Sequence, residues 1–187
     1  MHEDDQIRTI GYGARSIEEF VAALASVGAE YVVDVRSAPY SKFKPDFSRE
    51  PLAARLAQDD VRYVFMGDSL GGKPDDAMCY GPDGRVDYER CRLRPEFIEG
   101  LASLEAGWQA GHRIVLMCSE GRPEECHRTK LIAEELVALG VPVVHIDERG
   151  EPRSHDVIID AITGGQETLF GEHPATSTSR KRHRIAS

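Results

Sequence analysis

No stretch of this sequence approaches the run of about eighteen apolar residues that crosses a membrane, so no membrane partner is expected. The start, MHEDDQIR, is acidic and polar and lacks the basic stretch and apolar core of a secretory signal. A cytoplasmic location is expected from the two together. Cysteine is scarce: Cys79, Cys91, Cys118 and Cys126 are the four in 187 residues. In a reducing compartment so few cysteines read as thiols, ligands or nucleophiles rather than a disulfide framework. Positive charge is short as well. The formal net charge of −9 disfavours wrapping DNA through general phosphate contacts. The exception is the end, SRKRHRIAS, where Arg180, Lys181, Arg182 and Arg184 sit on an otherwise acidic chain.

At 41% apolar and 29% charged, the composition is that of a soluble globular protein long enough for one well-cored domain. No internal repeat is present, and the chain alternates strand with helix. Strands are expected at 7–12, 30–37, 61–66, 112–118 and 141–147, each a short apolar run. Helices are expected at 16–28, 49–59, 94–111 and 123–140. The first of these opens on Ser16 with Glu19 three residues later, a capping-box pattern, and closes at Gly28. This rhythm predicts a single α/β domain over 1–165, with a parallel or mostly parallel sheet of about five strands covered by helices on both faces. Residues 67–93, rich in Gly, Pro and Asp, read as an insertion or lid, and 166–187 as a flexible tail with a basic end.

In an open parallel sheet, ligands sit beyond the carboxyl ends of the strands. Each predicted strand here is followed by a polar loop: 11–15, 36–47, 67–75, 118–128 and 147–155. Parallel strands would bring all five loops to one end. The richest is in LMCSEGRPEECHRTKLIAEEL (116–136), where a buried strand turns into a helix. Three readings of it stand side by side. In the first, Cys118 is a thiolate nucleophile in an anion-binding loop at a helix start, with Arg122 and Arg128 as paired donors and Glu120 and His127 as acid–base groups. Glu120 opposes that reading by repelling the same anion. In the second, Cys118, Cys126 and His127 hold zinc or iron, with Asp34 or His155 completing the shell. Adjacent residues on a regular helix point about 100° apart, so this needs a distorted helix start. In the third, Cys118 and Cys126 simply pack in the core.

Two other stretches carry candidates. RSAPYSKFKPDF (36–47) interleaves Arg36, Lys42 and Lys44 with Tyr40, Phe43 and Phe47, a pattern suited to stacking on a base beside a phosphate. The alternative is that the phenylalanines form a satellite core under a long loop. Asp34 interrupts an apolar strand, so a partner is expected for it, Arg36 or a backbone amide. In the tail, Gln166, Leu169 and Phe170 form a Q-x-x-L-F pattern resembling the peptide that docks bacterial replication and repair proteins on the DNA sliding clamp. Leu169 and Phe170 could equally pin the tail to the body.

TIGYG, VVDVRSAPYSKFKPDF, LGGKP, VLMCSEGRPEECHR and VHIDERGEPRSH, in that order over residues 7–156, resemble a bacterial family known only as domain of unknown function 488. The resemblance implies Asp34, Arg36, Cys118, Glu120, Cys126, His127, Arg128 and His155 as site residues, and names no reaction. The family commonly opens with a Gly-His-Ser type stretch; Gly11-Tyr12-Gly13 stands here, so no role for that histidine carries over. VVDVRS followed by IVLMCSEG, a helix and VPVVHI is also similar to rhodanese-like domains, which hold a cysteine in an anion-binding loop. The expectation is a domain that binds a small anionic or nucleotide-like ligand at the strand ends.

Overall fold

The computed structural model describes residues 6–165 and 174–182. Its centre is three short, almost wholly buried strands: β1 (Ile7–Gly11), β2 (Tyr31–Asp34) and β5 (Ile114–Cys118). With β3 (Arg62–Phe65), β6 (Val143–Ile146) and β7 (Pro152–Ser154) they form one six-stranded sheet in the order β3-β2-β5-β1-β6-β7. Every pairing is parallel except β6 with β7, so the sheet has the five expected strands and an added antiparallel edge.

Alternation along each strand divides the core in two. Ile10, Val32, Val115 and Met117 face one layer, built by α1 (Ile17–Ser26) and α2 (Arg49–Ala57) with Phe20, Leu24 and Leu52. Ile7, Val33, Leu116 and Cys118 face the other, built by α5 (Pro95–Gln109) and by the helix that follows β5. Near-continuous apolar strands buried on both sides are what a helix-covered parallel sheet requires. The capping box is formed as the sequence predicts. The Ser16 hydroxyl accepts from the Glu19 amide at 3.1 Å, and the Glu19 carboxylate accepts from the Ser16 amide at 2.7 Å.

The predicted helix 123–140 is not one regular helix. Pro123–Glu125 is a 3-10 turn, Cys126 is extended at φ −110°, ψ 144°, Arg128–Ala133 is π-helical, and α6 (Glu134–Ala138) completes the element. Once Cys126 breaks the helical course, two adjacent side chains are no longer held to regular helical spacing. The π turn then puts Arg128, Thr129, Leu131, Ile132 and Ala133 all inside.

The Gly, Pro and Asp rich stretch 67–93 contains α3 (Gly67–Leu70), β4 (Arg85–Asp87) and α4 (Tyr88–Arg92), and it contributes Leu70, Cys79, Val86, Tyr88 and Cys91 to the core. Periodicity could not find it because those residues are irregularly spaced. After α7 (His155–Thr163), the region expected to be a flexible tail includes two described elements, Pro174–Ser177 as α8 and Thr178–Arg182 as β8; β8 pairs antiparallel with β4. Gln166, Leu169 and Phe170 lie outside the described residues. Among the described residues no helix is long and apolar enough to cross a membrane.

Phe20 is fully buried and meets Phe47 edge-on, ring centroids 5.3 Å apart, in the layer away from Cys118. Phe20→Ala should therefore cost about 3–5 kcal/mol in urea unfolding. A loss under about 1 kcal/mol would contradict this packing.

Candidate functional site around Cys118

Cys118 ends β5, the strand between β1 and β2, and pairs with Gly11 of β1. The loop after it is bound to the turn after β1. The Tyr12 amide donates to the Cys118 carbonyl at 3.0 Å and the Gly13 amide to the Ser119 carbonyl at 3.1 Å. The approach is so close that a Cβ on Gly11 would lie 1.7 Å from the Glu120 carbonyl oxygen, and one on Gly13 2.8 Å from the Gly121 Cα. Gly13 is also at φ +44°. The glycines of TIGYG are thus set by steric contact with the cysteine loop.

Extended geometry at Cys126 brings its thiol back toward β5. The donor atoms of Cys118, Cys126 and His127 all lie within 4.8 Å of one another. His127 Nδ1 is 3.8 Å from the Cys118 sulfur and 3.7 Å from that of Cys126. The other ring nitrogen, Nε2, is 2.9 Å from the Val35 carbonyl. A carbonyl only accepts, so Nε2 carries a proton and donates it to Val35, and Nδ1 is the ring nitrogen turned toward both sulfurs. Gly72, from LGGKP, packs on this ring; a Cβ there would lie 2.5 Å from His127 Cγ. Both thiols are buried, and their protons separate. The Cys118 thiol is held well below its ordinary pKa by a hydrogen bond from Cys126, then by His127 and Arg128, against the opposing effect of burial. Burial, and then the Cys118 neighbour, push the Cys126 thiol well up.

A cavity of about 320 Å³ opens beside these three groups. Four of the five strand-end loops reach it, contributing Tyr12, Arg36, Lys73 and Glu120 among others; the loop after β6 does not. The remaining candidates divide. Asp34 is buried and accepts four hydrogen bonds: from Arg36 Nε (2.8 Å), Nη2 (2.6 Å) and backbone amide (3.1 Å), and from the Tyr63 hydroxyl (2.6 Å). A carboxylate has about four acceptor positions, so Asp34 is a clamp with nothing left for a metal. Desolvation, and then the bond to Asp34, push the Tyr63 phenol up.

Arg128 is completely buried, with Nε on the Thr9 hydroxyl (3.2 Å), Nη1 on the Glu120 carbonyl and Nη2 on the Gly121 carbonyl (3.1 Å). It holds the loop rather than facing the cavity. Arg122 points outward, near Glu125 (3.9 Å) and Glu148 (3.8 Å). The expected pair of anion donors is thus not assembled over Cys118. His155 is also elsewhere, between His145 (3.0 Å) and Glu134 (3.3 Å). Neither proposed fourth ligand joins the cysteines. Tyr88 and Ser179, which do line the cavity, were invisible to sequence reasoning because they come from the irregular stretch and the tail. Tyr12 was within reach, since it sits in the first strand-end loop.

Fold and site together define an α/β domain with a two-cysteine, one-histidine cluster at the carboxyl ends of its parallel strands. A family model described as Domain of unknown function DUF488 matches residues 16–136, and the chain belongs to that family. The flanking TIGYG and VHIDERGEPRSH stretches fall outside the matched part. No curated protein and no solved structure matches the chain, and the rhodanese-like similarity is not shown.

Arg36→Met would leave the Asp34 carboxylate buried without its cation, and should cost about 3–5 kcal/mol of stability in urea unfolding. Tyr63→Phe removes one bond to the same carboxylate and should cost about 1.5–3 kcal/mol. If both variants unfold like the parent, Asp34 is not the clamp described.

Proposed function

We propose that Cys118, Cys126 and His127 hold one zinc or iron ion whose fourth coordination position opens on the adjoining cavity, where a small ligand binds. The observation that carries this is the arrangement of the three donors. Around a tetrahedral zinc with bonds of about 2.3 Å to sulfur and about 2.0–2.1 Å to nitrogen, sulfur and nitrogen stand about 3.6 Å apart. His127 Nδ1 is 3.7 and 3.8 Å from the two sulfurs. Its Nε2–H is fixed by a backbone carbonyl, the usual second contact of a metal-bound imidazole. Structural zinc sites close with four protein ligands, whereas catalytic ones keep three and leave a place for water or substrate. With Asp34 saturated and His155 bonded to His145, the fourth place here falls to the cavity side. An ion so held can polarise a ligand oxygen or lower the pKa of bound water.

A second reading rests on the depressed Cys118 thiol alone, as a thiolate nucleophile beside an imidazole. One experiment separates the two. Elemental mass spectrometry of freshly purified protein should find about one equivalent of zinc or iron, matching the one such cluster among the described residues. Cys126→Ser should lose stoichiometric retention. Gly72→Ala, which crowds the His127 ring, should weaken affinity about tenfold in chelator competition. Metal-free protein with one thiol reacting well below the free-cysteine pKa of about 8.5 would sink the metal reading and leave the nucleophile.

A further inference from the structure

One aromatic ring at the cavity, and a second in the same loop, are left open to solvent. Tyr40 lines it and is 70% exposed, and Phe43, three residues on in the same loop, is 92% exposed. Their neighbour Phe47 shows the contrast: it is 1% exposed and stacks on Tyr12 with centroids 4.2 Å apart. The loop's own core therefore uses one of its three rings and leaves two free. Lys73 and the carboxylate residues Glu120 and Glu125 line the same cavity. An exposed phenol face takes a planar ring, a carboxylate accepts from a ring amino group, and an ammonium takes a phosphate. The cavity, about 320 Å³, is at the small end of ligand sites, which run from about 300 to 1,000 Å³. That suits one nucleotide unit, and the net charge of −9 disfavours a long phosphate backbone.

We infer that the cavity binds a single nucleobase-bearing phosphate. The ring stacks on Tyr40, its exocyclic amino group faces Glu120 or Glu125, and the phosphate meets Lys73. This rests on the reading of the Cys118 cavity as the ligand site, and the stacking part does not require the metal itself.

The test is calorimetric binding of adenosine, cytidine and uridine 5′-monophosphates against ribose 5-phosphate, using the full chain loaded with zinc and the Cys126→Ser variant. The nucleotides with an amino group should bind about tenfold tighter than ribose 5-phosphate, and cytidine better than uridine monophosphate. Tyr40→Ala should erase the advantage of the base, and Tyr40→Trp should restore it. Equal binding of nucleotide and ribose phosphate in the zinc-loaded protein overturns the inference while leaving the metal centre standing. An unchanged ratio in a chain that never retains metal does the reverse. A deoxyadenylate ten-mer that binds far more tightly than the mononucleotide would move recognition to a polymer and also overturn it.

Discussion

A fully buried guanidinium organises this molecule. Arg128 is completely buried, and among the described residues it has no carboxylate partner; its bonds go to the Thr9 hydroxyl and to the carbonyls of Glu120 and Gly121. Such a group is costly to bury unless it is hydrogen-bonded. The three bonds, one from each nitrogen, fix the loop after β5 against the turn after β1, which is where Gly11 and Gly13 must approach it. The same positive charge favours an anionic Cys118.

The anchoring continues across the other side of β1. Thr9 Oγ1 accepts from Arg128 and lies 2.8 Å from His145 Nδ1. His145 Nε2 lies 3.0 Å from His155 Nδ1, and His155 Nε2 faces Glu134 at 3.3 Å. Burial, then His155 and then Arg128 hold the His145 pKa well below its ordinary value. These histidines support the site from behind; the one that faces the cysteines is His127.

On the other edge of the cavity the Asp34–Arg36 clamp does comparable work for β2. Burial is offset by the Asp34 hydrogen bonds and charge, which raise the Arg36 pKa, so the guanidinium keeps its charge. The strand end that carries them also supplies the Val35 carbonyl that orients His127. One polar residue in an apolar strand, Asp34, thereby fixes a loop and helps aim the imidazole that follows the neighbouring strand, β5.

The sequence by itself determined the sheet and the end of it where chemistry collects. Apolar runs, a capping box and alternating helices depend on local chemistry, and polar loops after parallel strands must share an edge whatever the details. It also named Cys118, Cys126 and His127 together, and stated the condition that a regular helix could not bring them to one point. Only the tertiary structure decided that the condition is met. The break at Cys126 follows from a 3-10 turn and a π turn, which no periodicity announces. Tertiary packing likewise decided that Arg128 faces inward, that Asp34 is saturated and His155 is bonded to His145, and that Tyr88 and Ser179 reach the cavity. Those outcomes depend on which donors and acceptors meet across the fold. Neighbours in space are set by packing, and spacing along the chain does not encode them.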